Sequence, residues 1–171
     1  MSSGVELRLA GVEDAEAVTA VNVRAWHHAF TDVIDPRDLV RRTLEGELPL
    51  VAGLLAPDSP WETRVACVGG RIVGYATIGA SEDPDATAET GTLIGLSIDP
   101  TAQGAGLGGL LHADAVARLG TRFESGRLWV FEANGLARGM YERHGWLEDP
   151  SGVGQESPGW FSPWVRYRRD F

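Results

Sequence analysis

The sequence predicts a mixed α/β (α+β) fold with one central sheet and helices on both of its faces. Two β-rich runs, residues 63–68 and 72–78, are joined by Gly69-Gly70, a two-residue hairpin signal. A strand, a glycine-rich turn and a helix then follow one another within residues 93–119. A β-meander followed by a strand–helix–strand crossover gives a sheet of mixed strand direction.

Length and composition limit the class of protein. The chain has 171 residues, and we expect residues 1–171 to form a single domain with its own core. The net charge of −9 disfavours non-specific nucleic-acid binding. No apolar run reaches membrane-spanning length and the N-terminus lacks a signal-peptide pattern, so we expect a cytoplasmic protein without a membrane partner. The single Cys67 lies in a β-rich run, where a buried, unreactive thiol is expected, and it excludes a cysteine metal cluster.

The N-terminal half predicts a strand and two helices before the hairpin, and a loop after it. Residues 5–9 alternate apolar and polar side chains, as a half-buried strand does. Asp14 is a favourable cap for the helix that follows it. Residues 38–55 indicate a second, weaker helix, which Pro49 is expected to break. The acidic residues 81–91 indicate a surface loop before the central strand.

The C-terminal half adds a strand, a helix and a final strand. Residues 128–131 form an apolar run typical of a strand. Asn134 is expected to begin a short helix, and Gly145 to end it. Residues 149–158 are rich in Gly, Ser and Pro and indicate a loop. Residues 164–168 alternate again and predict the last strand.

The turn after the central strand carries the strongest functional signal. Pro100 ends the strand, and four glycines then fall within six residues, at positions 104, 106, 108 and 109. A helix follows at once, and the first turn of a helix has unpaired N–H groups and a positive dipole end. Glycines allow a phosphate to approach this backbone without meeting a Cβ atom. The turn therefore predicts a binding site for a phosphorylated cofactor.

One interpretation of the turn is a dinucleotide site. Gly104-x-Gly106-x-x-Gly109 satisfies the dinucleotide fingerprint, and Glu132 ends a later strand about where a ribose-binding acid belongs. That fingerprint places its first glycine directly after the strand, whereas residues 99–103 intervene here. On this interpretation the protein is an oxidoreductase module that binds NAD or FAD, which is one of the alternative functions. If Glu132 does not bind a ribose, it is a solvent-exposed residue at the end of the strand.

Two further patterns resemble a known family. Gln103-x-x-Gly106-x-Gly108, preceded by Leu96-x-Ile98-x-Pro100, resembles the pyrophosphate loop of the GNAT superfamily of acetyl-CoA-dependent N-acetyltransferases. The N-terminal residues Arg8-Leu9-Ala10, Glu13-Asp14-Ala15 and Trp26-x-x-Ala29-Phe30 resemble the first strand and helix of its small bacterial members. A second set is similar to the strand and helix that follow this loop in the family: Val130, Asn134, Ala137, Tyr141, Glu142, Gly145 and Trp146. The resemblance covers nearly the whole chain. It implies the GNAT fold, a mixed and mostly antiparallel sheet that is splayed at the cofactor site.

The resemblance also implies an activity and a set of site residues. The implied activity is acyl transfer: a primary amine of a small molecule or peptide attacks acetyl-CoA directly and takes up its acetyl group. The backbone of Leu96 and Ile98 is assigned to the pantetheine arm and the reacting carbonyl, Asn134 to the pantetheine arm, and Tyr141 to protonation of the departing thiolate. The pyrophosphate is assigned to the following residues: Gln103, Gly104, Ala105, Gly106, Leu107, Gly108 and Gly109. No metal is expected, and a homodimer is a family-level expectation.

Several assignments keep simpler alternatives. Tyr141 is also explained as a core residue, and Asn134 as a helix cap alone. Related sequences often carry a glutamate where this chain has Thr92. The general base is therefore open between a side chain, with Glu89, His27 and His28 as the candidates, and a water chain. The missing glutamate also motivates a second alternative, a non-catalytic acyl-CoA-binding domain.

Aromatic residues, with His27 and His28 of the first helix, give a sequence-based indication of an acceptor pocket. Trp26, Phe30, Trp61 and Trp164 are candidates for its walls. Aromatic side chains also dominate protein cores, so packing alone is the other explanation. The sequence does not name the acceptor amine.

Overall fold

The computed structural model describes residues 4–32, 34–152 and 163–171. The elements, in chain order, are β1 Val5–Leu9, α1 Ala15–Phe30, α2 Pro36–Leu39, α3 Leu44–Leu54, β2 Glu62–Val68, β3 Arg71–Ala80, β4 Thr90–Ile98, α4 Leu107–Gly120, β5 Ser125–Phe131, α5 Gly135–Arg143, β6 Leu147–Glu148 and β7 Trp164–Asp170. Short 3-10 turns precede α1 and follow β4. Most of the loop predicted at 149–158 lies outside the described residues.

The strands form a seven-stranded sheet in the order β1-β2-β3-β4-β5-β7-β6. Its neighbours are antiparallel except for β4 and β5, which run parallel. The predicted mixed, mostly antiparallel sheet is therefore confirmed. The dinucleotide alternative is wrong, because that fold needs a largely parallel, doubly wound sheet.

Helices cover both faces of the sheet. Neighbouring residues of a strand point to opposite faces, and β3 shows this directly. Ala76 belongs to the core cluster that contains Leu111 of α4. Tyr75 belongs to a second cluster that contains Val21 of α1 and Val51 of α3. The central strands are thus buried between α4 on one side and α1 with α3 on the other.

The sheet parts between its two central strands. β4 pairs with β5 at only three positions: Thr90 with Ser125, Gly91 with Gly126, and Thr92 with Arg127. Beyond Thr92, β4 continues beside β3 alone and β5 continues beside β7 alone. An opening, here called the cleft, therefore separates residues 93–98 from residues 128–131. The expected splay of the sheet is confirmed, and Thr92 and Arg127 mark the closed end of the cleft.

The second predicted helix differs from the structure. Residues 38–55 contain the end of α2 and a separate α3, whose cap Thr43 accepts a hydrogen bond from the Gly46 amide at 3.0 Å. Pro49 lies inside α3 and does not break it. The carbonyl that Pro49 deprives of a partner belongs to the exposed Glu45, where water can donate the bond instead.

The predicted cap of the first helix was wrong, and one strand was missed. Asp14 stands at the start of α1, but its carboxylate accepts bonds from the Gly11 amide and from Arg8 rather than capping α1. The two-residue β6 was missed, because so short a strand has no periodicity to detect.

His112 of α4 is a buried ionisable group in the main core. Its side chain is 1% exposed, and its Nε2 accepts a hydrogen bond from Trp146 Nε1 at 2.8 Å. The neutral ring therefore carries its proton on Nδ1, which has no hydrogen-bond partner among the described residues. Burial, with smaller contributions from His144 and Arg169, lowers the pKa of His112 to about 4.

This histidine makes stability depend on pH. In the unfolded chain His112 is protonated below about pH 6.5, whereas in the folded chain it is protonated only below about pH 4. Lowering the pH between these values therefore favours the unfolded state. We expect the free energy of unfolding to fall by up to about 3 kcal/mol between pH 7 and pH 4 from this group. Urea unfolding at several pH values measures it. His112→Gln should reduce the dependence of the unfolding free energy on pH, while the change His28→Gln at an exposed position should not. The same pH dependence in His112→Gln and wild type would contradict the role given to His112.

Candidate active site

The open end of the cleft is anchored by Asp99, directly after β4. Asp99 is 2% exposed, and one carboxylate oxygen accepts bonds from the Thr101 amide at 3.0 Å and from its hydroxyl at 2.7 Å. The other accepts from Arg24 of α1, at 3.0 Å from Nε and 2.6 Å from Nη2. Burial alone would raise the pKa of Asp99, but the bonds from Thr101 and Arg24 outweigh it and hold the pKa at about 2. The charged carboxylate fixes where the glycine turn begins.

The glycine turn adopts a backbone that other residues avoid. Gly104 and Gly106 have φ values of 80° and 77°, in the left-handed region. Gly106 is also the N-cap of α4 and has no side chain to bond the helix amides. Gln103 donates from Nε2 to the carbonyl of Ile98 at 3.1 Å, which ties the start of the turn to the strand.

Unpaired N–H groups line the turn and the start of α4. Between residues 104 and 109 no amide donates to another described residue, and the next one, of Leu110, bonds to the Gly106 carbonyl at 3.1 Å. A Cβ atom added at Gly104, Gly106 or Gly109 would meet no protein atom within 4 Å, so the space beside them is open. Free N–H groups at the positive end of a helix can bind an anion such as a diphosphate.

Asn134 lies at the start of α5, directly after β5 on the other side of the cleft. Its Oδ1 accepts a hydrogen bond from the Ala137 amide at 3.1 Å, so the predicted cap is confirmed. This bond uses the oxygen and leaves the NH2 group of the side chain as a donor. Contact of Asn134 with a ligand stays a prediction.

Tyr141 lies further along α5 and packs in the main core cluster with Ile98 and Leu107. Its side chain is 7% exposed. Burial raises its pKa to about 12. The phenol is therefore protonated at neutral pH and able to donate a hydrogen bond. Tyr141 of α5 thus shares one core cluster with Ile98 of β4 and Leu107 of α4, and its catalytic role stays a prediction.

The candidate bases belong to different parts of the fold. Thr92 donates its hydroxyl to the carbonyl of Arg127 at 3.1 Å and so helps to seal the closed end. Glu89 is exposed and precedes β4, on the far side of that closed end from the opening. His27 Nε2 lies 3.0 Å from the carbonyl of Arg42, and His28 is exposed.

Three of the four predicted acceptor-pocket aromatics are in one cluster. Trp26 and Phe30 have ring centroids 4.7 Å apart, and Trp164 stacks on Phe131 at 3.9 Å. Trp61 lies elsewhere, against Gly79 of β3. The sequence analysis did not name Phe131 as a member of this aromatic cluster. Strand alternation does place Phe131 on the same face of β5 as Trp129.

The remaining candidates have simple roles. Cys67 is 4% exposed, so the expected buried thiol is confirmed. Glu132 is exposed after β5, as a solvated strand end would be. Within the part of the chain that the structure describes, no group of three His, Cys, Asp or Glu side chains is placed to hold a metal ion. No helix among the described residues is long and apolar enough to cross a membrane.

The fold and the site together define a class of protein. In this structure a parallel strand pair separates beside a helix whose first N–H groups have no partner among the described residues. The profile of the acetyltransferase (GNAT) family matches residues 21–146, which is most of the chain. The protein therefore belongs to the GNAT acetyltransferase family, and the expectation of an N-acetyltransferase is confirmed.

Solved structures share this fold over almost their full length. The PaiA N-acetyltransferase of Thermoplasma acidophilum, in complex with coenzyme A, has a TM-score of 0.74 at 14% identity, covering 98% of this chain and 99% of that one. An acetyltransferase of Thermus thermophilus has a TM-score of 0.71 at 21% identity, with full coverage of both chains. The ribosomal-protein-alanine N-acetyltransferase of Brucella melitensis has a TM-score of 0.68 at 18% identity, covering 97% and 99%. At these identities the likeness concerns the fold alone. No curated protein sequence matches the chain.

Proposed function

We propose that the protein moves an acetyl group from acetyl-CoA to a primary amine of a small molecule or peptide, by direct attack and without a covalent enzyme intermediate. One observation carries the proposal: the row of unpaired N–H groups at residues 104–109 lies at the open end of the cleft between β4 and β5. A ligand with a diphosphate and a long, narrow arm fits that pair of features. The complex of a structurally similar N-acetyltransferase with coenzyme A supports the same choice.

The binding roles follow from this placement. The diphosphate accepts hydrogen bonds from the amides of residues 104–109, with Gln103 at the start of the turn. The pantetheine arm enters the cleft, where β4 has lost its second strand. The backbone of Leu96 and Ile98 is assigned to this arm, although the Ile98 carbonyl also accepts the bond from Gln103. Asn134 donates from its side-chain NH2 group to the same arm.

The reaction forms a C–N bond and breaks a C–S bond. A neutral amine attacks the thioester carbonyl, the thiolate leaves, and the nitrogen loses a proton. In our proposal Tyr141 donates its phenolic proton to the departing sulfur. Burial raises the pKa of Tyr141 to about 12, so the phenol carries a proton at neutral pH, and solvent returns the proton after each turnover.

We assign removal of the amine proton to water. Glu89, the acidic candidate nearest β4 in sequence, lies beyond the closed end of the cleft, and Thr92 is bonded to the Arg127 carbonyl. Cys67 is buried in β2, which agrees with direct transfer rather than an acyl-cysteine route. The lack of a carboxylate at Thr92 is also the observation that favours the second candidate, a non-catalytic acyl-CoA-binding domain.

The role of Tyr141 is tested by Tyr141→Phe. Loss of the acid should lower kcat about 100- to 10,000-fold, while the dissociation constant of acetyl-CoA changes little. Release of CoA thiol with a broad amine panel gives kcat, and calorimetry gives the affinity. Tyr167→Phe is the matched control, because Tyr167 is also buried and its hydroxyl bonds to Arg138 and Glu142 instead. Unchanged turnover in Tyr141→Phe would remove it from the acid role.

The glycine turn is tested by Gly106→Ala against Gly70→Ala. Both glycines have φ 77° and open space where a Cβ atom would lie, so both changes should cost about 1 kcal/mol of stability. Only Gly106→Ala should weaken acetyl-CoA binding, by about tenfold, because it disturbs the amides that face the diphosphate. Thermal unfolding and calorimetric titration measure the two effects. Equal affinity in the two variants would exclude the turn as the binding site.

Titration with acetyl-CoA, together with the assay of CoA thiol release, distinguishes the two candidate functions. An enzyme binds acetyl-CoA and releases the thiol in the presence of a suitable amine. A non-catalytic domain binds acetyl-CoA and releases no thiol with any amine of the panel.

A further inference from the structure

The proposed site is divided between two halves of the sheet. The glycine turn, Leu96 and Ile98 belong to the half that ends in β4, whereas Asn134 and Tyr141 follow β5 in the other half. Main-chain pairing joins the two halves at only three positions. The angle between β4 and β5 therefore sets the distance between the residues that must hold one ligand.

An ion network lies beside this short pairing. Arg166 of β7 is 2% exposed, and its Nη1 and Nη2 donate to the two carboxylate oxygens of Asp85 at 2.7 and 2.9 Å. Nε and Nη2 also donate to Asp149 Oδ2 at 3.0 and 2.7 Å. Nη1 lies 3.3 Å from Asp83 Oδ2. One buried guanidinium thus holds three carboxylates, two of them from the segment between β3 and β4.

β5 contributes to the same network. Arg127, the residue paired with Thr92, lies 2.6 Å from Asp85 Oδ1 and 3.6 Å from Asp83 Oδ2. Trp129 donates from Nε1 to Asp83 Oδ1 at 2.9 Å. The segment that leads into β4 is therefore fastened to β5 and β7 by side chains, next to the closed end of the cleft.

We infer that Arg166 is a positioning residue for acetyl transfer: it clamps the segment before β4 onto β5 and β7 and so sets the angle of the cleft. The inference rests on the proposed function, because the angle matters to the reaction only if one ligand spans both halves. Three pairs of strand residues are a short connection. The buried guanidinium of Arg166, by contrast, makes several contacts, including a bidentate pair with Asp85. A displacement of about 1 Å between groups that grip a substrate can cost about 100-fold in rate.

The clamp is tested with Arg166→Met and with the milder Asp85→Asn, which removes one carboxylate and keeps Arg166 in place. Arg166→Lys restores the charge without the bidentate geometry. Arg8→Met is the matched control, because Arg8 makes a bidentate pair with Asp14, at 2.7 and 2.8 Å, at the β1 edge of the sheet. The readouts are hydrogen exchange of peptides that cover residues 90–92 and 125–127, and the KM for acetyl-CoA measured separately from kcat.

We expect faster exchange at both peptides, by about tenfold, and a KM for acetyl-CoA raised about tenfold in Asp85→Asn and Arg166→Met. Arg166→Lys should lie between these variants and wild type, and Arg8→Met should match wild type in both readouts. If Arg166→Met fails to fold, Asp85→Asn decides the question alone. Faster exchange with an unchanged KM would show a purely structural network and overturn the inference, as would exchange equal to that of Arg8→Met.

The two readouts also separate this inference from the proposed function. Exchange is measured on the unliganded chain and needs no coenzyme. A wild-type protein that binds no acetyl-CoA would overturn the proposed function, while unchanged exchange in Asp85→Asn would overturn the clamp.

Discussion

The three-residue pairing of β4 with β5 is the constraint on which the rest of this structure depends. Had the two strands paired over their full length, the sheet would be closed and residues 93–98 would bond to β5. Because the pairing stops at Thr92, one edge of β4 is left for a ligand that can bond to backbone as a strand does. The same strand then ends at Asp99, and the turn that follows directs the start of α4 toward the open end of the cleft.

The chemistry of the site is uneven on its two sides. On the side of the proposed acid, Tyr141 belongs to the same core cluster as Ile98 and Leu107, and burial raises its pKa to about 12. On the opposite side, Thr92 donates its hydroxyl to the Arg127 carbonyl, and our proposal assigns the amine proton to water. An enzyme of this kind works by holding the amine and the thioester together and by excluding other reactions. Accurate spacing of the two halves of the sheet then matters more than any single proton acceptor.

The sequence predicted those features that local chemistry controls. The hairpin at Gly69-Gly70 was predicted correctly, because both positions have a positive φ that favours glycine. The end of β4 was predicted correctly, because Pro100 cannot continue a strand. The glycine turn and the Asn134 cap were correct for the same kind of reason. Features that depend on distant partners were not found. Asp83 and Asp85 were predicted only as surface loop residues, because their partner Arg166 lies 83 and 81 positions away. The splay came from the family resemblance alone, since no residue pattern in β4 or β5 encodes where pairing stops.

Binding of the diphosphate by the glycine turn is the central claim, and titration of the 15N-labelled protein with coenzyme A tests it most directly. The account predicts that the amide resonances of Gly104, Gly106, Gly108 and Gly109 shift strongly and saturate together. Those of Gly69 and Gly70, in the hairpin turn between β2 and β3, should not move. Saturable binding of coenzyme A that leaves the four turn glycines unshifted would contradict the account.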